Sequence, residues 1–131
     1  MKHHRHKLPL VALILLALIA VCCIYEAHSR RLRDATYETA LQSYSAALRP
    51  GVTRKDVESY IRSRGMAFGR GRGNIGRETV DDLVPVGKDE NTWVCSDNVV
   101  YVQFHFEPEE GTSDADRLMN IDLFHRPGRC L

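Results

Sequence analysis

The chain has 131 residues, 44% of them hydrophobic, and its 18 Lys and Arg nearly balance 17 Asp and Glu for a net charge of +1. That balance excludes a strongly basic nucleic-acid binder on composition alone. The length beyond any membrane segment leaves room for one small domain.

A basic tail, residues 1-7, precedes the apolar run Leu8–Tyr25, which carries no formal charge over 18 residues. As a helix this run rises about 27 Å, close to the hydrocarbon thickness of a bilayer. Pro9 falls near the first turn, where its missing N–H costs little. The run is long for a secretory signal, and Ala20-Val21-Cys22-Cys23-Ile24-Tyr25 lacks small residues at cleavage-site offsets. The expectation is a retained signal anchor over residues 8-25, with residues 26-131 as the domain. Lipid anchoring is the alternative, with Cys22 and Cys23 as candidate lipidation positions, although neither follows a small residue. Lys2, Arg5 and Lys7 before the run are matched by Arg30, Arg31 and Arg33 after it. The positive-inside rule therefore gives no firm orientation, and the N-terminal amine and histidines lean toward a cytoplasmic N-terminus.

Further along, Tyr37, Leu41, Tyr44 and Leu48 recur at helical spacing, so Ala35–Leu48 reads as a helix, continuous with the anchor if nothing interrupts it. Arg49-Pro50-Gly51 stops it. Thr53 caps a second helix, with Asp56 three residues on in a capping-box arrangement and Val52 and Val57 as a hydrophobic staple. Val57, Tyr60 and Ile61 supply its buried face, and Gly65 ends it. Met66 to Arg77 shows no periodicity and reads as a loop. Strands are expected at Leu83–Gly87, where Pro85 marks an edge, at Thr92–Ser96, at Val99–Glu107 and at Leu118–His125, the last with Met119, Ile121 and Leu123 on one face. Short joins imply an antiparallel meander. The fold class is α+β: a transmembrane helix, then two helices packed on a three- to four-stranded antiparallel sheet. Trp93 is expected in the small core.

Cys95 and Cys130 lie in the polar remainder. In an exported domain they are candidates for a disulfide, worth about 4 kcal/mol for a loop of this length. Two buried free thiols in a cytosolic domain are the alternative. Neither cysteine has metal-ligand spacing, and no metal or cofactor is expected.

The segment Leu48-Arg-Pro-Gly51-Val-Thr53-Arg-Lys-Asp-Val57-Glu-Ser-Tyr-Ile61, followed by Gly65, resembles the helix start of SmpA/BamE-like envelope proteins. The order of elements over about residues 48-126 is similar to theirs and to the repeat unit of β-lactamase inhibitory proteins. The resemblance implies a non-enzymatic, protein-binding role in the cell envelope, with the domain on the periplasmic side of a bacterial inner membrane. The match departs from the family in its poor lipobox and in the Gly/Arg-rich stretch after the second helix.

Gly71, Gly73 and Gly76 match GxGxxG literally, but a helix precedes them where a nucleotide site needs a strand. Arg62, Arg64, Arg70, Arg72 and Arg77 form a basic stretch without acids, which reads as a solvated loop or as a contact for anionic headgroups or a partner. Glu107, Glu109, Glu110, Asp114 and Asp116 form an acidic loop whose Asp114-Ala-Asp116 lacks the glycine of a calcium loop. The two patches are suited to attract each other within one molecule or between copies. Strand parity separates His105 from His125, so they do not converge with Cys95. No catalytic residue is assigned. The expected function is a membrane-tethered, non-enzymatic scaffold binding another envelope protein, with self-association open and nucleic acid excluded. The alternatives are a thiol-dependent enzyme using Cys95 with a histidine, and a cytosol-facing membrane adaptor.

Overall fold

The structure, a computed structural model, describes residues 7–72, 80–89 and 98–126. It is α+β, with helices α1 (Lys7–Ala47) and α2 (Arg54–Ser63) and strands β1 (Gly69–Arg72), β2 (Val80–Asp89), β3 (Asn98–Glu107) and β4 (Arg117–Arg126). The four strands form one antiparallel sheet in the order β1-β2-β3-β4, the expected meander. The chain divides into two compact units, Met1–Thr36 and Tyr37–Leu131.

The first unit is helical throughout its described part, and the helix is long and apolar enough to cross a membrane. Its most apolar 18-residue window has a mean hydropathy of 2.7 and no buried residue. Large apolar side chains from Leu10 to Tyr25 are 52% to 76% exposed. The thiols of Cys22 and Cys23 are free and exposed.

The second unit buries what the first exposes. Tyr37 and Tyr44 carry the stripe of α1, continued by Leu48 just past its end, and Val57 and Ile61 carry that of α2. Against them β3 turns Val100, Val102, Phe104 and Phe106, every one fully buried, while Tyr101, Gln103 and His105 face the other way. Burying each such apolar side chain stabilises the fold by about 1.5–3 kcal/mol. Tyr44 meets both Tyr60 and Phe104 edge-on, at ring distances of 6.2 and 5.4 Å.

The turns follow their residues. Pro50 and Gly51 make the chain reversal after α1, closed by the Val52 N–H on Arg49 O, with Gly51 at φ 92°. The Thr53 hydroxyl accepts from the Asp56 N–H and donates to the Asp56 carboxylate at 2.7 Å, so the expected N-cap forms, with Asp56 held on the hydroxyl rather than on the Thr53 N–H of a capping box. Gly65, at φ 69°, closes α2 in a Schellman arrangement: Gly65 N–H donates to Arg62 O and Met66 N–H to Ile61 O.

Three expectations need correction. Gly69–Arg72 is a strand where a loop was expected; glycines alternate with arginines there, so the apolar alternation that marks a strand is missing, and the order is carried by backbone pairing to β2. Pro85 lies well inside the ten-residue strand β2, not in a short edge strand. It is tolerated because β1 pairs only as far as Leu83, which leaves that part of β2 at the margin of the sheet. A bulge follows between Pro85 and Gly87. Met119 does not share a face with Ile121 and Leu123. A second bulge, at His105/Phe106, pairs Leu118 with Phe106, so Leu118 is buried and Met119 is 51% exposed. The Thr92–Ser96 strand and Trp93 lie outside the described residues, as does the Cys95–Cys130 pairing.

Candidate functional site

Asp81 and Asp82 are neighbours in β2, and their side chains enter different networks on opposite faces of the sheet.

On the helix side, Asp82 stands opposite Phe104, in line with core positions. Arg54 reaches it from the first turn of α2: Nη2 donates to Oδ1, and Nε donates to Oδ2 at 3.2 Å. The same guanidinium lies 3.4 Å from Glu58 Oε1 and 3.5 Å from Asp116 Oδ2, and stacks 5.1 Å above the Phe106 ring. Arg54, Glu58, Asp82 and Asp116 are all buried. Three carboxylates around one guanidinium leave negative charge, and arginines at the rim answer it. Glu58 accepts from Arg62 Nη2 at 2.9 Å and from Arg70 Nη2 at 2.7 Å. Burial raises the Asp82 pKa above the ordinary carboxylate value, and the hydrogen bonds from Arg54 oppose that shift only in part. The carboxylate partner of Arg70 raises its pKa in turn.

These bonds revise both charged patches. Arg62 and Arg70 are tied to Glu58, and Arg64 lies over Tyr60 at 5.3 Å and Tyr44 at 6.0 Å. The free solvated loop therefore does not describe them. The Arg72 side chain and Arg77 lie outside what is described, together with Gly73 and Gly76. The acidic loop is likewise not simply solvated. Asp116 is buried, accepts the Glu109 N–H at 3.1 Å, and its backbone carbonyl accepts the Arg54 N–H at 2.8 Å. Asp114 acts on Arg70 through its charge. No ion pair joins Arg62, Arg64 or Arg70 to the acidic loop among the described residues. Among the described residues no group of His, Cys, Asp and Glu is arranged to hold a metal ion.

On the other face, His105 of β3 stands between carboxylates of both neighbouring strands. Nδ1 is 3.0 Å from Asp81 Oδ1, and Nε2 is 3.1 Å from Asp122 Oδ2. Gln103 Nε2 donates to Asp81 Oδ2 at 2.8 Å. Both ring nitrogens are thereby committed, to acids that lie on opposite sides of the ring. Beside this row Tyr101 and Phe124 form a cross-strand aromatic pair, with ring centroids 6.4 Å apart. His125 pairs with Val100 and so belongs to the helix-side register, separated from His105 as strand parity implied.

Sequence reading missed Arg54, Glu58, Asp81, Asp82 and Asp122. A signal for the first network was present. Arg54, Val57, Glu58 and Ile61 share one helical face, so two opposite charges sit within an apolar stripe. Asp82 likewise interrupts the parity of Val80 and Val84. Comparison of the chain with family models, with characterised proteins and with solved structures returns no match.

Proposed function

We propose that this is a membrane-tethered, non-enzymatic binding protein whose small domain presents a sheet face to another envelope protein. The observation that carries the reading is the run of exposed apolar side chains from Leu10 to Tyr25, which water solvates poorly and a bilayer accommodates. An aromatic pair on the sheet face away from the helices, exposed Phe124 against half-buried Tyr101, supports a protein contact there. The charged side chains support binding over catalysis, because Arg54 is ion-paired to Glu58, Asp82 and Asp116 in the interior and His105 lies against a carboxylate at each ring nitrogen. The resemblance of residues 48-65 to the SmpA/BamE-like helix start agrees with an envelope role and with a periplasmic domain closed by Cys95–Cys130. Cys22 and Cys23 remain the positions where acylation would reinforce the tether.

Photo-crosslinking in intact membranes tests the reading. A crosslinker at Phe124 is expected to give a discrete protein adduct that one at Lys55, exposed on α2, does not. Equal labelling from both positions, or none, would overturn it. The rival thiol enzyme requires a free, reactive Cys95, and mass spectrometry of the non-reduced chain separates the two: a Cys95–Cys130 crosslink removes the nucleophile.

A further inference from the structure

Glu58 draws three arginines onto one carboxylate. Oε1 accepts from Nε and Nη2 of Arg70, at 3.2 and 2.7 Å, and lies 3.4 Å from Arg54 Nε. Oε2 accepts from Arg62 Nη2 at 2.9 Å. The Glu58 side chain is only 4% exposed, whereas those of Arg62 and Arg70 are 63% and 50% exposed. A buried anion thus pins two half-open guanidiniums from different elements, the last turn of α2 and β1, beside each other at the surface. Phe68 adds a second hold on Arg62, 5.2 Å below its guanidinium.

Over the whole network Arg54, Arg62 and Arg70 balance Glu58, Asp82 and Asp116, so the site rests on geometry and not on excess charge. At the surface itself two half-open guanidiniums share one buried carboxylate. Asp114 is exposed and lies in no ion pair with either arginine among the described residues. Donors also remain: Arg62 uses only Nη2 toward Glu58, and Arg70 uses Nε and Nη2. Planar guanidinium forks match oxyanions that carry several acceptor oxygens. Because Glu58 already fixes both heads, a ligand meets side chains whose rotamer freedom is largely spent.

We propose that Arg62 and Arg70, held apart from solvent freedom by the buried Glu58, form a binding site for a phosphate-type oxyanion. A phospholipid headgroup and free phosphate share that chemistry. Arg64 stands outside the site, occupied by the Tyr60 and Tyr44 rings. The site does not depend on the proposed partner face of the sheet.

The test uses the full chain in dodecyl maltoside micelles, which contain no phosphate, with arginine side-chain NMR signals followed during titration with inorganic phosphate at constant ionic strength. The Nε–H signals of Arg62 and Arg70 should move together and saturate, while those of Arg54 and Arg64 stay. The double variant Arg62→Gln/Arg70→Gln should weaken phosphate binding by about tenfold or more. Arg64→Gln, which removes one equal charge, should leave it unchanged. If the double variant fails to fold, the wild-type signals still decide. A second titration in nanodiscs containing phosphatidylglycerol identifies the source. Signals of Arg62 and Arg70 shifted before phosphate is added indicate a headgroup, and unshifted signals indicate the free ion; either result supports the site. Absence of a saturable shift under both conditions, or an equal drift of all four arginines, would overturn it.

Discussion

Residues 10–25 and the unit that begins at Tyr37 treat apolar side chains in opposite ways. The first leaves its leucines, isoleucines and valines open along one helix. The second folds Tyr37, Tyr44, Leu48, Val57 and Ile61 onto Val100, Val102, Phe104 and Phe106 until they are closed off. The difference separates two sources of order. The second unit supplies its own apolar environment, and the first requires one from outside, which is the physical basis for the proposed anchor. The second unit also takes charge into its interior, around Arg54, where the first keeps its Arg30–Glu26 pair on the helix surface.

The largest effect should come from the first region. Leu15→Arg with Leu16→Arg places two charges near the middle of the apolar run, at a cost of about 2.5–3.5 kcal/mol each for insertion. Membrane fractionation should show the double variant released, with the second unit still folded by circular dichroism. In the second region, Arg54→Ala should be the most damaging change. It leaves the buried Asp82 and Asp116 without their cation, and loss of one member of a buried charge network costs about 3–5 kcal/mol. A fall in the urea midpoint at unchanged slope would register it.

Gly87→Ala should cost less, about 1–3 kcal/mol. A Cβ at Gly87 would collide with the Tyr37 ring, whose hydroxyl donates to Lys88 O at 3.0 Å. Pairing with Tyr37→Phe should not relieve the strain, because the clash involves ring carbon, and a thermal melt of the two variants checks this. Thr53→Ala removes the α2 cap and should cost about 1 kcal/mol, with Thr53→Ser recovering most of it.

Asp82 offers the subtlest check. Its folded-state pKa lies above the unfolded value because burial outweighs Arg54. The folded state therefore holds this proton more tightly. Asp82's own contribution is complete below the ordinary carboxylate range and diminishes as pH rises through its raised pKa. Carboxyl NMR should show a midpoint above that of an exposed aspartate, and Arg54→Met should raise it further. A midpoint below the ordinary value would mean that the ion pair dominates.

Much of this architecture was legible in the sequence. Helical spacing from Tyr37 to Leu48, the Thr53 cap, the Gly65 stop and the alternation of β3 each report one local rule, and each holds. What escaped depends on pairing between distant residues. Strand β1 has glycine where apolar side chains would announce a strand, so only its bonds to β2 reveal it. The exposure of Met119 depends on a bulge opposite Phe106. The Arg54 network joins α2, β2 and the acidic loop, and charge composition alone does not tell a solvated arginine from a buried one. The Gly/Arg stretch illustrates the point: its excess charge suggested solvent, while Glu58, a single acid 12 positions before Arg70, organises it.

The central claim is that the open apolar helix is held in a membrane while the second unit folds by itself. Alkaline carbonate extraction of membranes containing the full chain tests it most directly. The account predicts that the chain stays with the membrane pellet, as an integral protein does. Complete recovery in the soluble fraction, with the second unit folded, would contradict it.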